Sequence, residues 1–439
     1  MASLWDLGRL VRLSDTLLAV TGATDVPALD RDEIERHLDA ICAIGNRYVG
    51  TAGEAAARAY VLRHFAGAGL RDIRAEEFEV RTYGCDQAAC HVPAWGLSLE
   101  CVGLQGTISG EIEAEAVYLG GGESVAELLG DAPEQPPLEG RIAVIQSFWP
   151  WELTDVLLER GIAGLVLISD VPENLIAHLP ARWYGSLDAA SGQGPAAVPG
   201  VTVGARTGRR LVRALASGAS AVRISHAASY ATRTTSNLLA ATAGTDQNGV
   251  VLAAHYDTFM DGAGAHDNAS GLAALLAAAS AWSASPPLHR VVLASFAAEE
   301  LGLCGSAEYC RRHAEELPSL AAMVNLDALA WRVAGPRCLV VDPGLERFAT
   351  ALLEHIGWAP DAVWDAREAE SDIAPFVAAG VPGAWCWRFP PQHPYFGSAR
   401  DSRELLDVDL ITETANAAAC LAYRIACEAS PAFRRLGTR

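Results

Sequence analysis

The rhythm of apolar positions changes twice along the chain. Over residues 30–44 they recur at helical spacing, with Asp30 placed as N-cap and Glu33 three residues on, in capping-box spacing. A second helical stretch covers residues 53–67 and carries Ala57, Tyr60, Val61 and Phe65 on one face. Residues 73–81 then alternate as a strand does. These elements have no core of their own, so a later part of the chain must cover them.

Between residues 94 and 229 the texture shifts to short apolar runs broken by glycine and proline. Strands are predicted at 116–119, 140–145, 161–168 and 199–203, with loops at 134–137 and 192–199. From residue 235 onward apolar runs of strand length alternate with helical stretches. Strands are predicted at 250–254, 290–296, 322–326, 338–341 and 383–387. Helices are predicted at 268–280, 305–316, 344–356, 372–379 and 407–427. Such alternation predicts an α/β fold, a mostly parallel, doubly wound mixed sheet with helices on both faces. The division that follows is residues 1–93 as the first part of a main domain, 94–229 as an inserted β-rich module, and 230–439 as the rest of the main domain.

Composition narrows the partners. Of 439 residues 51% are hydrophobic and 20% charged, a balance suited to a packed enzyme, and the formal net charge is −20. That charge excludes nucleic acid or an anionic membrane as a partner, since either demands clustered basic residues. The chain has no lysine, which excludes a lysine Schiff base and a P-loop. No stretch approaches the roughly 18 apolar residues of a membrane span, and the segment Met1-Ala2-Ser3-Leu4-Trp5-Asp6 lacks a signal layout, so a cytoplasmic protein is expected. The ten cysteines are too dispersed for a disulfide scaffold, and Cys85 and Cys90 read as structural thiols. Nothing in the pattern sets the oligomeric state.

The candidate chemistry lies at the ends of the predicted strands. His255 closes one apolar run and Asp257 follows two residues later, a spacing that lets the carboxylate orient the imidazole. Asp267 enters the next helix from a glycine-lined loop; taken alone it would be an N-cap, and beside the other acids it suits a bridge between two cations. His266 is expected at the surface. Glu299 and Glu300 are adjacent acids after an apolar strand, and buried together they demand a cation or a shared proton. One division gives Glu300 to a metal and leaves Glu299 to move a proton. Asp327 ends a further apolar strand as another ligand candidate. In an open α/β sheet, sites form beyond the carboxyl ends of the strands, where these acids fall.

With those residues in place, the chain resembles the co-catalytic dizinc aminopeptidases, relatives of the glutamate carboxypeptidases and of glutaminyl cyclase. The matching motifs are Ala254-His255-Tyr256-Asp257, Asp267-Asn268-Ala269-Ser270-Gly271, Ala298-Glu299-Glu300-Leu301-Gly302 with Gly305-Ser306 behind it, and Asn325-Leu326-Asp327. The segments 46–54 and 236–240 match more loosely, and the inserted module resembles a protease-associated domain. The resemblance implies two zinc ions and a peptide substrate. His255 and Asp327 would hold one ion, Asp267 would bridge, Glu300 would hold the second, Glu299 would be the general base and Asp257 would orient His255.

One family position departs. A histidine is expected four residues before Asp401, where this chain has Gly397. Either His393, in Pro391-Gln392-His393-Pro394, supplies the imidazole from a loop of different shape, or the place is vacant and a single zinc results. Trp385, Trp387, Phe389, Tyr395 and Phe396 are candidates for a hydrophobic substrate pocket or for plain core, and Tyr395 for an oxyanion donor. The expected function is a zinc-dependent exopeptidase that removes N-terminal residues. Its competitors are a non-catalytic relative with a degraded metal centre, favoured by Gly397, and a single-zinc acyltransferase or amidohydrolase.

Overall fold

The computed structural model describes residues 26–121, 137–147, 150–388 and 394–428. Helices α1 (Arg31–Ile44) and α2 (Ala52–Ala68) come first, each begun by a side-chain cap from Asp30 or Thr51. The Glu33 carboxylate accepts from Ser280 Oγ at 2.6 Å and lies 3.6 Å from His37, so a tertiary partner has drawn it away from the capping-box role. A 22-residue strand, β1 (Arg71–Val92), leads into the insert, and the short strands β2 (Leu97–Leu99) and β3 (Cys101–Gly103) follow.

The insert is built from β4 (Gly110–Gly121), β5 (Ile142–Gln146), α3 (Pro150–Glu159), β6 (Gly164–Ser169), β7 (Gly200–Gly204) and α4 (Ala205–Ala216). Strands β4, β5, β6 and β7 run parallel, and β3 closes the far edge antiparallel to β7. Alternate residues of β5 and β6 enter two separate cores, one holding Val144 and Val166, the other Ala143 and Leu165.

The chain returns on β8 (Ala221–Ala241), which pairs antiparallel with β1 from Arg71 opposite Ala241 to His91 opposite Arg223. One end of this ribbon joins β4; the other joins the main sheet beside Leu293 and Ala294. The ribbon is therefore the physical link between insert and main layer. The predicted strand at 73–81 was too short because residues 82–92 include Gly84, Asp86 and Gln87, weak strand formers whose pairing comes from β8.

The main layer follows: β9 (Thr245–His255), α5 (Ser270–Ala284), β10 (His289–Phe296), α6 (Cys304–Arg312), β11 (Ala322–Asn325), β12 (Arg337–Val341), α7 (Glu346–His355), β13 (Ala362–Asp365), α8 (Ile373–Ala378), β14 (Gly383–Arg388) and α9 (Val408–Cys427). The order across the sheet is β13-β12-β14-β11-β9-β10-β8. Strands β14, β11, β9 and β10 are parallel at its centre, while β8 and β12 flank them antiparallel. On β9, Val250, Leu252 and Ala254 face the core under α1, α2, α5 and α9, and Val251 and Ala253 face the core under α6 and α8. A near-continuous apolar strand is what burial on both faces requires.

His226 locks the ribbon to the insert. Its Nε2 lies 2.7 Å from the Tyr83 hydroxyl and its Nδ1 3.1 Å from Thr107 Oγ1, and Gly103 leaves no room for a side chain against it. Burial pushes its pKa down to about 4, so the folded protein keeps it neutral where the unfolded chain, with an ordinary value of about 6.5, binds a proton. Its contribution is complete above the unfolded value and is lost as pH falls toward the folded one. The urea midpoint should therefore decline from pH 6.5 to 4 less steeply in His226→Gln than in the native chain; parallel declines would contradict this assignment.

Candidate metal centre

Strands β9, β10 and β11 are parallel and adjacent, so their carboxyl ends open on one rim. His255 is the last residue of β9; Glu299 and Glu300 follow β10 by a tight loop; Asp327 lies just past β11. Asp267 comes from the irregular loop that feeds α5. Four separate segments thus deliver their polar side chains to the same place.

There His255 Nε2 lies 3.0 Å from Asp267 Oδ1 and 3.4 Å from Asp327 Oδ1. Ligand atoms of His255, Asp267 and Asp327 all fall within 4.8 Å of one another, as do those of His255, Glu299 and Glu300. All five side chains are buried. Burial disfavours charge on the His255 ring, yet Glu299 and Asp327, with Asp257 and Asp267, outweigh it and hold the imidazole well above its ordinary pKa. Burial raises Glu299 and Glu300 well above the carboxylate range, with neighbouring acids adding to it, and pushes Asp267 up to about 6. Asp327 goes the other way, because His255 and the Ser371 hydroxyl offset its burial.

A shell of polar groups fixes these positions. Asp257 accepts the backbone N–H groups of Glu299 and Glu300 at 3.1 and 3.2 Å, and its Oδ1 lies 3.5 Å from His255 Nδ1, so one carboxylate seats both the glutamate pair and the imidazole. Asp401 accepts the N–H groups of His266 and Asp267 at 2.9 and 3.1 Å. Ser371 donates to Asp327 Oδ2 at 2.5 Å and accepts from Asn325 Nδ2 at 2.8 Å. Asn268 ties the Asp267 loop to the Asp327 loop through the Leu326 carbonyl and the Gly271 and Ala328 N–H groups. The fully buried Arg47 guanidinium donates to the carbonyls of Gly45, Tyr256, Ala263 and Gly264 and so shapes the loop between His255 and Asp267. Asp372, also fully buried, stands in the field of His255 and Asp327, and burial raises it to about 7.

The sequence-predicted residues fare differently around this rim. His266 is fully buried, contrary to the surface position expected, because the segment around Arg403–Leu405 packs over its loop. His393 and Phe389 lie outside the described residues. Gly397 has φ +65°, and a side chain there would point at Leu179 (3.1 Å), Ala177 and Phe259 (both 3.6 Å). Its carbonyl accepts the His178 N–H at 2.9 Å. An extended loop of the insert thus lies against Gly397. Phe396 packs into the same apolar cluster with Trp151 and Phe259. The Tyr395 hydroxyl donates to Glu173 at 3.2 Å, an engagement with the insert instead of the rim. Trp385 is half-buried, donates from Nε1 to the Asp327 carbonyl at 2.8 Å and stacks on Trp387, itself core.

The insert touches the rim elsewhere too. Gly185 N–H donates to the Leu301 carbonyl at 2.9 Å, Gln193 Nε2 to the Gly302 carbonyl at 2.7 Å, and Trp151 Nε1 to Glu370 at 3.0 Å. Asp401 was named in the sequence only as the anchor of a register, and Arg47 and Ser371 were given no role there, since each acts through backbone groups or distant side chains and carries no local pattern.

The donor set fits a zinc-class cation. Asp327 Oδ1 and Glu300 Oε1 are buried without a hydrogen-bond partner, and imidazole and carboxylate are both ligands that this ion takes. No helix among the described residues is long and apolar enough to cross a membrane.

Comparison with known proteins agrees with this geometry. The sequence profile of peptidase family M28 matches residues 237–422. The chain is 27% identical to a probable lipoprotein aminopeptidase of Mycobacterium tuberculosis over 77% of its own length and 69% of the relative's. It is 34% identical to leupeptin-inactivating enzyme 1 of Streptomyces exfoliatus, over about a third of each chain (33% and 34%). Among solved structures, a zinc aminopeptidase from Bacillus subtilis superposes with a TM-score of 0.70 at 18% identity, covering 91% of this chain and 96% of that one. An aminopeptidase from Aneurinibacillus superposes at 0.68 and 21%, covering 90% and 94%. At such identities the likeness to the solved structures is one of fold.

Asp401 gives the sharpest structural test of the shell. Asp401→Ala strands two buried backbone donors, each worth about 1–3 kcal/mol, so chemical denaturation should show a loss of about 2–6 kcal/mol. A loss under about 0.5 kcal/mol, typical of an unengaged surface site, would mean that the loop does not depend on it.

Proposed function

From the match of residues 237–422 to peptidase family M28, we propose that the chain is a zinc-dependent aminopeptidase hydrolysing N-terminal residues from peptides. The observation that carries this reading is the meeting of His255, Asp267 and Asp327 within 4.8 Å beside the Glu299–Glu300 pair. In this reading His255, Asp267 and Asp327 hold one zinc, Glu300 and Asp267 face a second position, and Glu299 is the general base. When bound, zinc supplies Lewis-acid polarisation of the scissile carbonyl and makes water more acidic.

The chain's own residues do the rest. Glu299 takes the proton of the attacking water and returns it to the leaving amine; a carboxylate buried at the rim, with its backbone N–H pinned by Asp257, is suited to that traffic. Asp257 and Ser371 keep the His255 ring and the Asp327 carboxylate aimed inward. We read residues 94–229 as a protease-associated-like insert that walls the rim through its contacts with Leu301, Gly302, Glu370 and Gly397.

The two metal positions are unequal in this proposal. The first has an imidazole and two carboxylates; the second has Glu300 and a shared Asp267, and at Gly397 the loop bearing Ala177 and Leu179 stands where a further side chain would point. At limiting zinc, Asp327→Asn should lower the zinc content by one equivalent while Glu300→Gln leaves it unchanged; equal losses in elemental analysis would contradict the inequality. Glu299→Gln should lower kcat on aminoacyl anilides by about 10²–10⁴-fold at unchanged zinc content. Retained turnover would remove Glu299 as the base.

A further inference from the structure

A second cluster of side chains able to ligate a metal lies among helices α1, α2 and α5. Glu33 and His37 are four residues apart on α1 and so share one helix face. His64 reaches them from α2, and Ser280 from α5. His37 Nε2 lies 3.6 Å from Glu33 Oε1, and His64 Nε2 lies 4.0 Å from the same oxygen. The three ligand atoms fall within 4.8 Å of one another. No residue of this cluster belongs to the rim site.

Two features distinguish the cluster from an ordinary surface ion pair. First, the His37 side chain is only 7% exposed, and its Nε2 has no hydrogen-bond partner although it faces Glu33. A buried ring nitrogen left unpartnered is uncommon and calls for an explanation. Second, the other nitrogen of that ring, Nδ1, lies 2.7 Å from the Tyr60 hydroxyl. An Nδ1–H donated to Tyr60 leaves the Nε2 lone pair directed at the cluster, the outer-partner arrangement of ligating histidines. Burial keeps the ring neutral, with its pKa pushed down to about 3.

We propose that Glu33, His37 and His64 form a second metal site, for a divalent transition ion of the zinc class, that clamps α1, α2 and α5 together. Tetrahedral ligands at zinc bond lengths stand about 3.3 Å apart, so the observed 3.6 and 4.0 Å need only a small contraction. His64 Nε2 now lies 3.0 Å from the Leu276 carbonyl, to which only an N–H can donate, and 3.2 Å from Ser280 Oγ, so a bound ion requires the ring proton to move to Nδ1 and exchanges these contacts for a coordination bond. Ser280 already donates to Glu33 and would remain as the outer partner of the ligating carboxylate. With His64 21% and Glu33 18% exposed, the ion has a path in from solvent and water can complete its coordination.

The test uses the full chain with zinc alone as the probe. His64→Gln and Glu33→Gln, whose positions are partly exposed and tolerate change, should each bind one zinc equivalent fewer than the native chain at saturating zinc. Both should also lose part of the zinc-dependent rise in Tm. Circular dichroism confirms that they fold. Equal zinc content and an equal Tm increment in folded variants would overturn the proposal. The rim residues are intact in both variants, so anilide hydrolysis persists whichever way the result falls, and the outcome does not bear on the aminopeptidase reading.

Discussion

The rest of the structure depends on one electrostatic constraint, the burial of many carboxylates in one place. Asp257, Asp267, Glu299, Glu300, Asp327 and Asp372 are all buried at the same rim. Against them stand His255 and the Arg47 guanidinium, and the latter is turned on backbone carbonyls. Each uncompensated buried ion costs several kcal/mol, more than hydrogen bonds worth about 1 kcal/mol apiece can return. Either protons or a cation must neutralise the group. The raised pKa values of Asp267, Glu299 and Glu300 are the proton solution, and a dication is the alternative that also provides chemistry.

The fold is arranged around that cost. Parallel strands bring loops from distant parts of the chain to one rim, and the apolar faces of β9 sit between two helical layers that exclude water from it. The β1/β8 ribbon carries the insert to the same rim, where its loop around residues 177–179 lies against Gly397. A glycine with φ +65° suits the turn, and a Cβ there would crowd the Leu179 side chain at 3.1 Å.

Much of the site could be read in the sequence because its residues follow apolar strands at fixed offsets. His255, Glu299, Glu300 and Asp327 each come directly after such a run, and that pattern is local. The supports were not legible. Asp401 acts on the backbone of residues 266 and 267 from more than a hundred residues away, Arg47 binds carbonyls, and Ser371 meets Asn325 and Asp327 across more than forty residues. His266 was placed at the surface because a neighbour in a tight loop usually splays outward, and a later segment covers it. Likewise Glu33 had the spacing of a capping box, and Ser280, unseen from the local pattern, drew it elsewhere. The long ribbon escaped detection because one strand supplies the pairing that the other's composition does not advertise.

The measurement that bears most directly on the central claim is anomalous diffraction at the zinc edge from crystals grown with zinc. The account predicts a peak bounded by His255 Nε2 and the carboxylates of Asp267 and Asp327, with Glu299 beside it and not coordinating. A rim with no peak at saturating zinc, its carboxylates neutralised by protons alone, would contradict it.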